Sequence, residues 1–308
     1  MTANKMTKSI KTFYKAYRER KRATVSNTRR FSRSRFGNFM CCFFIVAAGA
    51  FTMLPLIYAI STSLKPLDEI LLFPPKFFVR RPTFENFAAL PTLLSSQTVP
   101  LIRYIFNSVI ITLLTTVVYI LISAMAAYGL SKSKFRFRNA LFMIVQFALL
   151  FNGYTLAVPQ YMIFAKIGII DTYWAYILPQ LATTLGVFLL KQYMEGSVPD
   201  AFLEAAKIDG AGYFYTFFRI VVPLIMPAIL TLLLFSFRDV WAYVPGGTIF
   251  SEELKTLPMV MSQIASGGIA RTGSAMAVTV IMMIPPIIVY LISQSNVLES
   301  MSSAGIKE

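Results

Sequence analysis

Six long stretches of this chain contain no Asp, Glu, Lys or Arg, and this pattern constrains the fold more than any other feature. Each stretch has at least 18 residues. A helix rises about 1.5 Å per residue, so about 20 apolar residues cross the ~30 Å hydrocarbon core of a bilayer. A helix also satisfies its own backbone hydrogen bonds in lipid. We therefore predict an all-α integral membrane protein with six transmembrane helices, in the windows 36–64, 104–131, 139–165, 172–190, 220–237 and 272–298.

The composition fits one bilayer-embedded unit rather than soluble domains. Of the 308 residues, 56% are hydrophobic and 14% are charged, which is too little charge to cover the surface of a soluble protein of this length. We predict three parts: a basic cytoplasmic N-terminal tail (1–35), a six-span transmembrane domain (36–298) with a large cytoplasmic loop (191–219), and a cytoplasmic C-terminal tail (299–308).

The distribution of basic residues predicts the orientation. The tail before Phe36 holds 12 of the 29 Lys and Arg residues, with Glu19 as its only acid. With both termini in the cytoplasm, the inside segments 1–35, 131–139, 191–219 and 299–308 hold 20 of the 29. Because cytoplasmic loops are enriched in Lys and Arg, we predict that both ends are inside.

Several classes of function are excluded by the sequence. The net charge of +15 is concentrated beside the first apolar window, which favours contact with anionic lipid and argues against nucleic-acid binding. The chain has no histidine, which excludes histidine-based zinc sites and Ser-His-Asp triads. Its two cysteines, Cys41 and Cys42, are adjacent and cannot form a disulfide framework. No Gly-Lys pair occurs, so the chain lacks a Walker A loop.

The most informative segment lies between the fourth and fifth windows and has the sequence PDAFLEAAKIDGAGYFYTFFRIVVP, residues 199–223. Pro199-Asp200 favours the start of a helix, and Gly210 permits the left-handed turn that ends one. Ala205 and Ala206 are small, so another surface can approach closely. These features predict a short, rigid helix that docks against a partner. Composition alone favours the alternative, a connector lying on the membrane surface.

This segment resembles the EAA signature of binding-protein-dependent ABC importers, which reads Glu-Ala-Ala, three residues, Gly, nine residues and Ile-x-Leu-Pro. The residues that match at this spacing are Glu204, Ala205, Ala206, Gly210, Ile220 and Pro223. Asp209 precedes Gly210 as in the family, and Val222 replaces the leucine.

Further matches resemble the maltose-type, carbohydrate-importer branch of that family and extend over most of the chain after residue 50. They are Ser63-Leu64-Lys65-Pro66, Glu69-Ile70, Pro74-Pro75, Thr83-Phe84-Glu85-Asn86-Phe87, Asn107-Ser108, Ala126-Ala127-Tyr128-Gly129, Thr256-Leu257-Pro258 and Gly305-Ile306-Lys307. One departure is Ala242 after Trp241, where the family often has asparagine, so substrate specificity cannot be carried over.

The resemblance implies a permease subunit in a bacterial inner membrane that binds no cofactor itself. Its expected partners are a second homologous permease, as a heterodimer, two ATPase subunits that hold ATP and Mg²⁺, and an extracellular solute-binding protein. The helix around Glu204 is expected to lie in a groove of an ATPase subunit and to move as a lever when the ATPase dimer closes. An oligosaccharide or sugar-like solute is the expected cargo.

Charged residues within a span are costly and tend to face the bundle interior, which makes Arg238 and Asp239 candidates for the translocation path. Asn152, Trp241 and Tyr243 join them as candidates, since aromatic side chains stack on sugar rings. The alternatives are a snorkelling ion pair for Arg238 and Asp239, and an interfacial position for Trp241.

Two other functions remain open at this point. An ion-coupled secondary transporter usually needs more spans, internal repeats and buried carboxylates, and Asp239 is the only candidate carboxylate here. A membrane scaffold without transport activity is the other alternative.

Overall fold

The computed structural model describes residues 35–95, 99–133, 135–151 and 153–305. They divide into two units, 1–56 and 57–308. The described part of the first unit belongs to helix α1, Arg35–Ser63, which continues into the second unit. Large apolar side chains along this part are exposed, among them Phe39, Phe43 and Phe51. A long apolar helix with an exposed apolar surface is typical of a membrane span.

In the second unit, the described residues form helices joined by loops, without a β-strand. The helices that follow α1 are α2 (Leu67–Ile70), α3 (Glu85–Ser95), α4 (Leu101–Lys132), α5 (Arg138–Ala148), α6 (Gly153–Ile167), α7 (Trp174–Leu181), α8 (Leu185–Ser197), α9 (Asp200–Ile208), α10 (Tyr213–Thr216), α11 (Val222–Leu224), α12 (Met226–Trp241), α13 (Leu257–Ala265) and α14 (Thr272–Gly305). A π-helix, Phe217–Val221, connects α10 with α11.

Three helices in the described ranges are long and apolar enough to span a membrane alone: Phe36–Ser63, Leu101–Lys132 and Ile269–Gln294. A fourth span is possible if Tyr213–Leu224 and Met226–Trp241, which are bent by 80° at their junction, count as one. The continuous helices predicted for windows 139–165 and 172–190 are each replaced by two shorter ones. An all-helical membrane protein is therefore confirmed, with fewer unbroken spans than the sequence predicts.

Local sequence explains the two breaks. The first break follows Ala148, where residues 149–151 form a turn. The sequence continues with Asn-Gly, a dipeptide typical of turns. In the second, α7 contains Pro179, and the hydroxyl of Thr183 donates a 2.9 Å hydrogen bond to the carbonyl of Gln180. Side-chain bonds of this kind compete with the helical hydrogen-bond ladder.

Helix α4 lies at the centre of the second unit and packs against α7, α8 and α12. One apolar core is formed by Tyr119, Ala124, Ala127, Leu190, Met194, Val198, Phe217, Val221, Ile225, Ala228 and Leu232. The small alanines let the helices approach closely. A second core connects α3, α4, α13 and α14 and includes Leu90, Tyr104, Val260 and Val278. Residues of the first core lie at both ends of the segment 199–223: Val198 precedes it, Val221 lies near its end and Ile225 follows it.

The segment after α1 is held in place by Asn86, which belongs to the motif Thr83-Phe84-Glu85-Asn86-Phe87 that resembles the family. The side-chain amide of Asn86 donates to the carbonyls of Ser63 (2.9 Å) and Lys65 (2.7 Å). The backbone amide of Thr83 donates to the carbonyl of Leu64 at 2.8 Å. A Cβ at Gly273, the second residue of α14, would lie 2.4 Å from the Asn86 amide oxygen, so a side chain there would displace Asn86. Asn86 therefore closes this turn and also contacts α14.

Candidate docking loop and polar cluster

The predicted docking helix is present as α9, and its start is well defined. Pro199 occupies the N-cap position with φ −63° and ψ 138°, and Asp200 is the first helical residue. The preceding Val198 is buried in the first core. Because Pro199 fixes the backbone at the junction, α8 ends and α9 begins within three residues.

The C-terminal end of α9 is closed by a left-handed turn at Gly210, which has φ +76°. The amide of Gly210 donates to the carbonyl of Lys207 at 3.1 Å, and the amide of Ala211 donates to the carbonyl of Ala206 at 2.9 Å. This pair of bonds is the Schellman motif, in which glycine at the left-handed position avoids a Cβ clash. The glycine of the signature thus fixes the direction in which the chain leaves α9.

The two alanines of the signature have different surroundings. Ala206 is buried against the protein, whereas Glu204 and Ala205 are exposed. Two large apolar side chains beside this helix are also exposed: Ile208 (86%) and Tyr213 (81%). The exposed surface of α9 therefore carries two carboxylates, Asp200 and Glu204, together with the small Ala205 and the bulky Ile208. Exposed apolar residues rimmed by polar ones are typical of a surface that contacts a protein partner.

The signature's last residues lie at the bend between the loop and α12. Ile220 is half-buried within the π-helix, and Pro223 is exposed at the start of α11. Ile225 is fully buried at the 80° bend, and Pro227 follows at the start of α12. Prolines and π-bulges are common causes of sharp bends in helices, and π-bulges often occur at functional sites.

Arg238 and Asp239 lie near the C-terminal end of α12 and pair with each other. The guanidinium Nε is 3.1 Å from the Asp239 carboxylate, and the Arg238 and Asp239 side chains are 72% and 48% exposed. Both charges are therefore on an open face of this chain.

Trp241 and Tyr243 are placed differently from this ion pair. The Trp241 indole is buried, stacks on Phe237 at a centroid distance of 6.0 Å, and donates a 2.9 Å hydrogen bond to the carbonyl of Met282. Tyr243 is half-buried, and burial raises the pKa of its hydroxyl. Asn152, the remaining predicted residue, lies outside the described residues.

A polar cluster that the sequence did not predict as a site connects α4 to the loop between α12 and α13. The amide of Asn107 donates to the carbonyls of Glu253 (2.8 Å) and Lys255 (3.0 Å), and its oxygen accepts from Tyr173 at 3.1 Å. The hydroxyl of Ser108 accepts from the amide of Leu257 at 2.8 Å. In the sequence, the only signal for this cluster is the resemblance of Asn107-Ser108 to the family.

Asp171 joins the same loop from the other side. Its backbone lies in the left-handed region with φ 58°, and its carboxylate accepts from the amides of Phe250 (2.9 Å) and Ser251 (2.8 Å) and from the hydroxyl of Ser251. These hydrogen bonds, that of the Ser251 hydroxyl first, lower the pKa of Asp171. Two polar anchors thus hold one loop.

The chemistry available from these residues is that of docking and packing. Within the described ranges, no three His, Cys, Asp or Glu side chains are placed to share a metal ion. The distinctive features are the rigid α9 with its exposed face, the bend at Ile225, and the polar anchors of the loop after α12.

Three comparisons with known proteins agree with this architecture. A family model for the binding-protein-dependent transport system inner membrane component matches residues 119–303, from the middle of α4 to the end of α14. A chain from a bacterial ABC transporter involved in the import of the acidic polysaccharide alginate shares the fold, with a TM-score of 0.71 and 21% identity. The match covers 86% of this chain and 99% of that chain.

Relatives by sequence carry related descriptions. The chain is 28% identical over 290 residues to the inner membrane ABC transporter permease protein YcjP of Escherichia coli (strain K12), which covers 92% of this chain and 99% of the relative. It is 30% identical over 260 residues to the sulfoquinovosyl glycerol transport system permease protein SmoH of Agrobacterium fabrum (strain C58 / ATCC 33970), covering 83% and 89%. It is 28% identical over 263 residues to the arabinooligosaccharides transport system permease protein AraQ of Bacillus subtilis (strain 168), covering 83% and 90%. Since the family model spans more than half of the chain, the protein belongs to the binding-protein-dependent transport system inner membrane components, the multi-pass permeases of ABC transporters.

Proposed function

We propose that this chain is a permease subunit of an ATP-driven importer of oligosaccharides or similar sugar-like solutes. The observation that carries the proposal is α9: a short helix with a rigid end at Gly210 and an exposed face at Glu204 and Ala205, in a chain of the permease family. Among its relatives are permeases named for arabinooligosaccharides and for sulfoquinovosyl glycerol.

In this proposal, α9 is the coupling helix. Its exposed face enters a groove of an ATPase subunit that holds ATP and Mg²⁺, and Glu204 pairs with a basic residue there. Gly210 sets the angle of the helix, and the bend at Ile225 transmits its movement to α12. The residues assigned to this role are Glu204, Ala205, Ala206, Asp209, Gly210, Ile220 and Pro223.

We assign six spans to the chain, with both termini in the cytoplasm of a bacterium and the protein in its inner membrane. The asymmetry of Lys and Arg supports the orientation, and the charge-free windows support the number of spans. The spans in windows 139–165 and 172–190 are broken helices, a form that membranes tolerate where neighbouring helices satisfy the freed backbone groups. The basic tail 1–35 and the tail 299–308 are cytoplasmic in this assignment.

The translocation path is proposed to include Arg238 and Asp239, together with Tyr243, Trp241 and Asn152. The exposure of the first two supports this role, because in a complete importer their open face is available to line a path between two permeases. The buried Trp241 holds α12 against α14 through its bond to Met282 and so keeps the ion pair in position.

The partners that this function needs are a second homologous permease, two ATPase subunits and an extracellular solute-binding protein. The family description names transport that depends on a binding protein. A heterodimeric permease pair is our proposal for this chain.

The test is reconstitution. The full chain carries an affinity tag in its native host, and co-purifying proteins are identified by mass spectrometry. The purified complex is placed in proteoliposomes with the solute-binding protein. Uptake is measured for a test mixture of arabinooligosaccharides, oligogalacturonides and alginate oligosaccharides, with ATP or a non-hydrolysable analogue. ATP-dependent uptake by a complex containing an ATPase is the expected result. A stable complex without an ATPase, or uptake driven by an ion gradient alone, would contradict the proposal.

A further inference from the structure

Lys132, the last residue of α4, contacts both sides of the junction between α8 and α9. Its ammonium group donates to the carbonyl of Val198 at 2.6 Å and lies 2.7 Å from the carboxylate of Asp200. Val198 is the C-cap of α8, and Asp200 is the first residue of α9. One side chain from a third helix therefore joins the end of one helix to the start of the next.

The surroundings of Lys132 favour these contacts. The C-terminal end of a helix carries a partial negative charge, so an ammonium group is stabilising beside the Val198 carbonyl. The Lys132 side chain is 9% exposed, whereas that of Asp200 is 77% exposed. Water can therefore solvate Asp200 if the lysine is removed, but the carbonyl of the buried Val198 would lose a donor in a place that water reaches less easily.

Helix α4 is also anchored at its other end. Asn107 and Ser108 bind the loop between α12 and α13, as described above. The distance along α4 from Asn107 to Lys132 is about 37 Å at 1.5 Å per residue. The same helix thus contacts the N-terminal end of α9, called here the base of α9, through Lys132. At its other end it contacts the loop after α12.

We propose that Lys132 is a positioning residue for coupling: it ties the base of α9 to α4, so that movement of α9 displaces α4 together with α12. This inference rests on the proposed function of α9 as the coupling helix. In addition to the bend at Ile225, Lys132 gives a second connection through which movement of α9 reaches α12. Lys132 lies outside the family signature, and in this proposal it determines how much ATP hydrolysis is converted into transport.

Three substitutions separate the properties of the lysine. Lys132→Arg keeps the charge and the donors, Lys132→Gln keeps a donor without the charge, and Lys132→Met keeps only the length of the side chain. Asp200→Ala removes the exposed partner. We expect uptake of the test mixture per ATP hydrolysed to fall by about fivefold for Lys132→Met, a value at the lower end of typical coupling between two sites. For Lys132→Gln we expect an intermediate ratio, and for Lys132→Arg a ratio close to that of wild type. Asp200→Ala is expected to lower the ratio less than Lys132→Met does.

Arg136→Ala is the matched control, because it removes one positive charge from the same segment at an exposed position. It is expected to leave the ratio of uptake to ATP hydrolysis unchanged. The amount of co-purifying ATPase is measured for every variant, because a merely structural defect would lower assembly. In that case Lys132→Arg and Lys132→Gln would not restore the ratio in the order of their donors and charge.

The outcomes distinguish this inference from the proposed function. If Gly210→Asp uncouples the complex but Lys132→Met does not, the positioning role is wrong and the coupling helix stands. If Lys132→Arg, Lys132→Gln and Lys132→Met all lower the ratio equally, the charge and donors of Lys132 are not involved and the proposal is wrong. If Gly210→Asp has no effect, the proposed function itself fails. If Lys132→Met does not assemble, the other two variants decide. A higher ratio for Lys132→Arg than for Lys132→Gln supports the proposal, and equal ratios would contradict it.

Discussion

The amide of Ala211 donates a 2.9 Å hydrogen bond to the carbonyl of Ala206 and closes the turn that ends α9. The bond spans Gly210, whose φ of +76° is costly for most residues with a Cβ. The buried alanine of the signature, Ala206, is thus bonded to the residue that follows the signature glycine. The spacing between Ala206 and Gly210 is the one that this helix-ending turn requires.

Substitution of Gly210 is expected to uncouple transport from ATP hydrolysis. An added Cβ at Gly210 meets no atom within 4 Å, so the steric cost of a side chain, about 1 kcal/mol, comes from the left-handed backbone. Aspartate also adds a negative charge beside Asp209 at the C-terminal end of α9, where the helix dipole disfavours it. Gly210→Asp should lower uptake while the complex still hydrolyses ATP. Gly212→Ala is the control, because Gly212 also has open space around its Cβ but has φ −70°. Equal uptake by Gly210→Asp and Gly212→Ala would contradict this assignment.

Reversal of the exposed charge on α9 should have a similar effect for a different reason. Glu204→Lys leaves the helix intact but places a positive charge where we propose a basic partner on the ATPase. Its ratio of uptake to ATP hydrolysis should fall, or the ATPase should no longer co-purify. Glu85→Lys, an exposed reversal in α3, is the control. Normal uptake with Glu204→Lys would remove this residue from the coupling role.

The close contact between α4 and α8 predicts a stability effect. The amide of Gly186 donates to the hydroxyl of Tyr119 at 2.7 Å, and a Cβ at Gly186 would lie 2.7 Å from that oxygen and from the Ser123 hydroxyl. Gly186→Ala should destabilise the protein by about 1–3 kcal/mol through overpacking. Thermal unfolding of the purified complex measures this effect.

Two further variants check the cause of that destabilisation. In Gly186→Ala with Tyr119→Phe, removal of the hydroxyl should relieve part of the overpacking, so the double variant should be more stable than the sum of the single effects predicts. Gly129→Ala in α4 should be tolerated, since no atom lies within 4 Å of its added Cβ. Additive single effects would indicate that the two residues do not interact.

The pKa of Asp171 predicts a pH dependence for the loop after α12. Hydrogen bonds from Ser251 and Phe250 lower this pKa from its ordinary value of 3.8. A carboxyl group whose pKa is lower in the folded state stabilises the protein above its unfolded pKa, and this contribution is lost as the pH falls through the folded value. It should therefore be complete at neutral pH and disappear only below about pH 4.

Asp171→Asn isolates the charge, because asparagine tolerates the left-handed backbone at φ 58°. The variant should unfold at a lower temperature than wild type at pH 7, and the difference should shrink as the pH falls below about 4. A difference that is constant with pH would show that the charge of Asp171 is not involved.

The backbone preferences of single residues predict where helices begin and end, but they do not predict contacts between residues far apart in the sequence. Pro199 and Gly210 determine the ends of α9 through their own backbone preferences, and a single long apolar window was sufficient for α4. The cluster at Asn107 could not be predicted in the same way, because its partners Glu253 and Lys255 lie nearly 150 residues away in the sequence.

The broken windows illustrate a second limit. Absence of charge in 139–165 and 172–190 is compatible with one helix or two, because hydropathy reports transfer into lipid rather than backbone continuity. The break before α8 depends on Thr183 and on the hydroxyl of Tyr119, which accepts from the amide of Gly186 near the start of the new helix. The apolar pattern of the window does not contain that contact.

The most direct test of the central claim is the number of sugar molecules taken up per ATP hydrolysed by the reconstituted complex. Wild type is predicted to import a component of the test mixture only with hydrolysable ATP, and Gly210→Asp is predicted to hydrolyse ATP with little uptake. Uptake by wild type that is independent of ATP, or a Gly210→Asp complex with an unchanged ratio, would contradict the account.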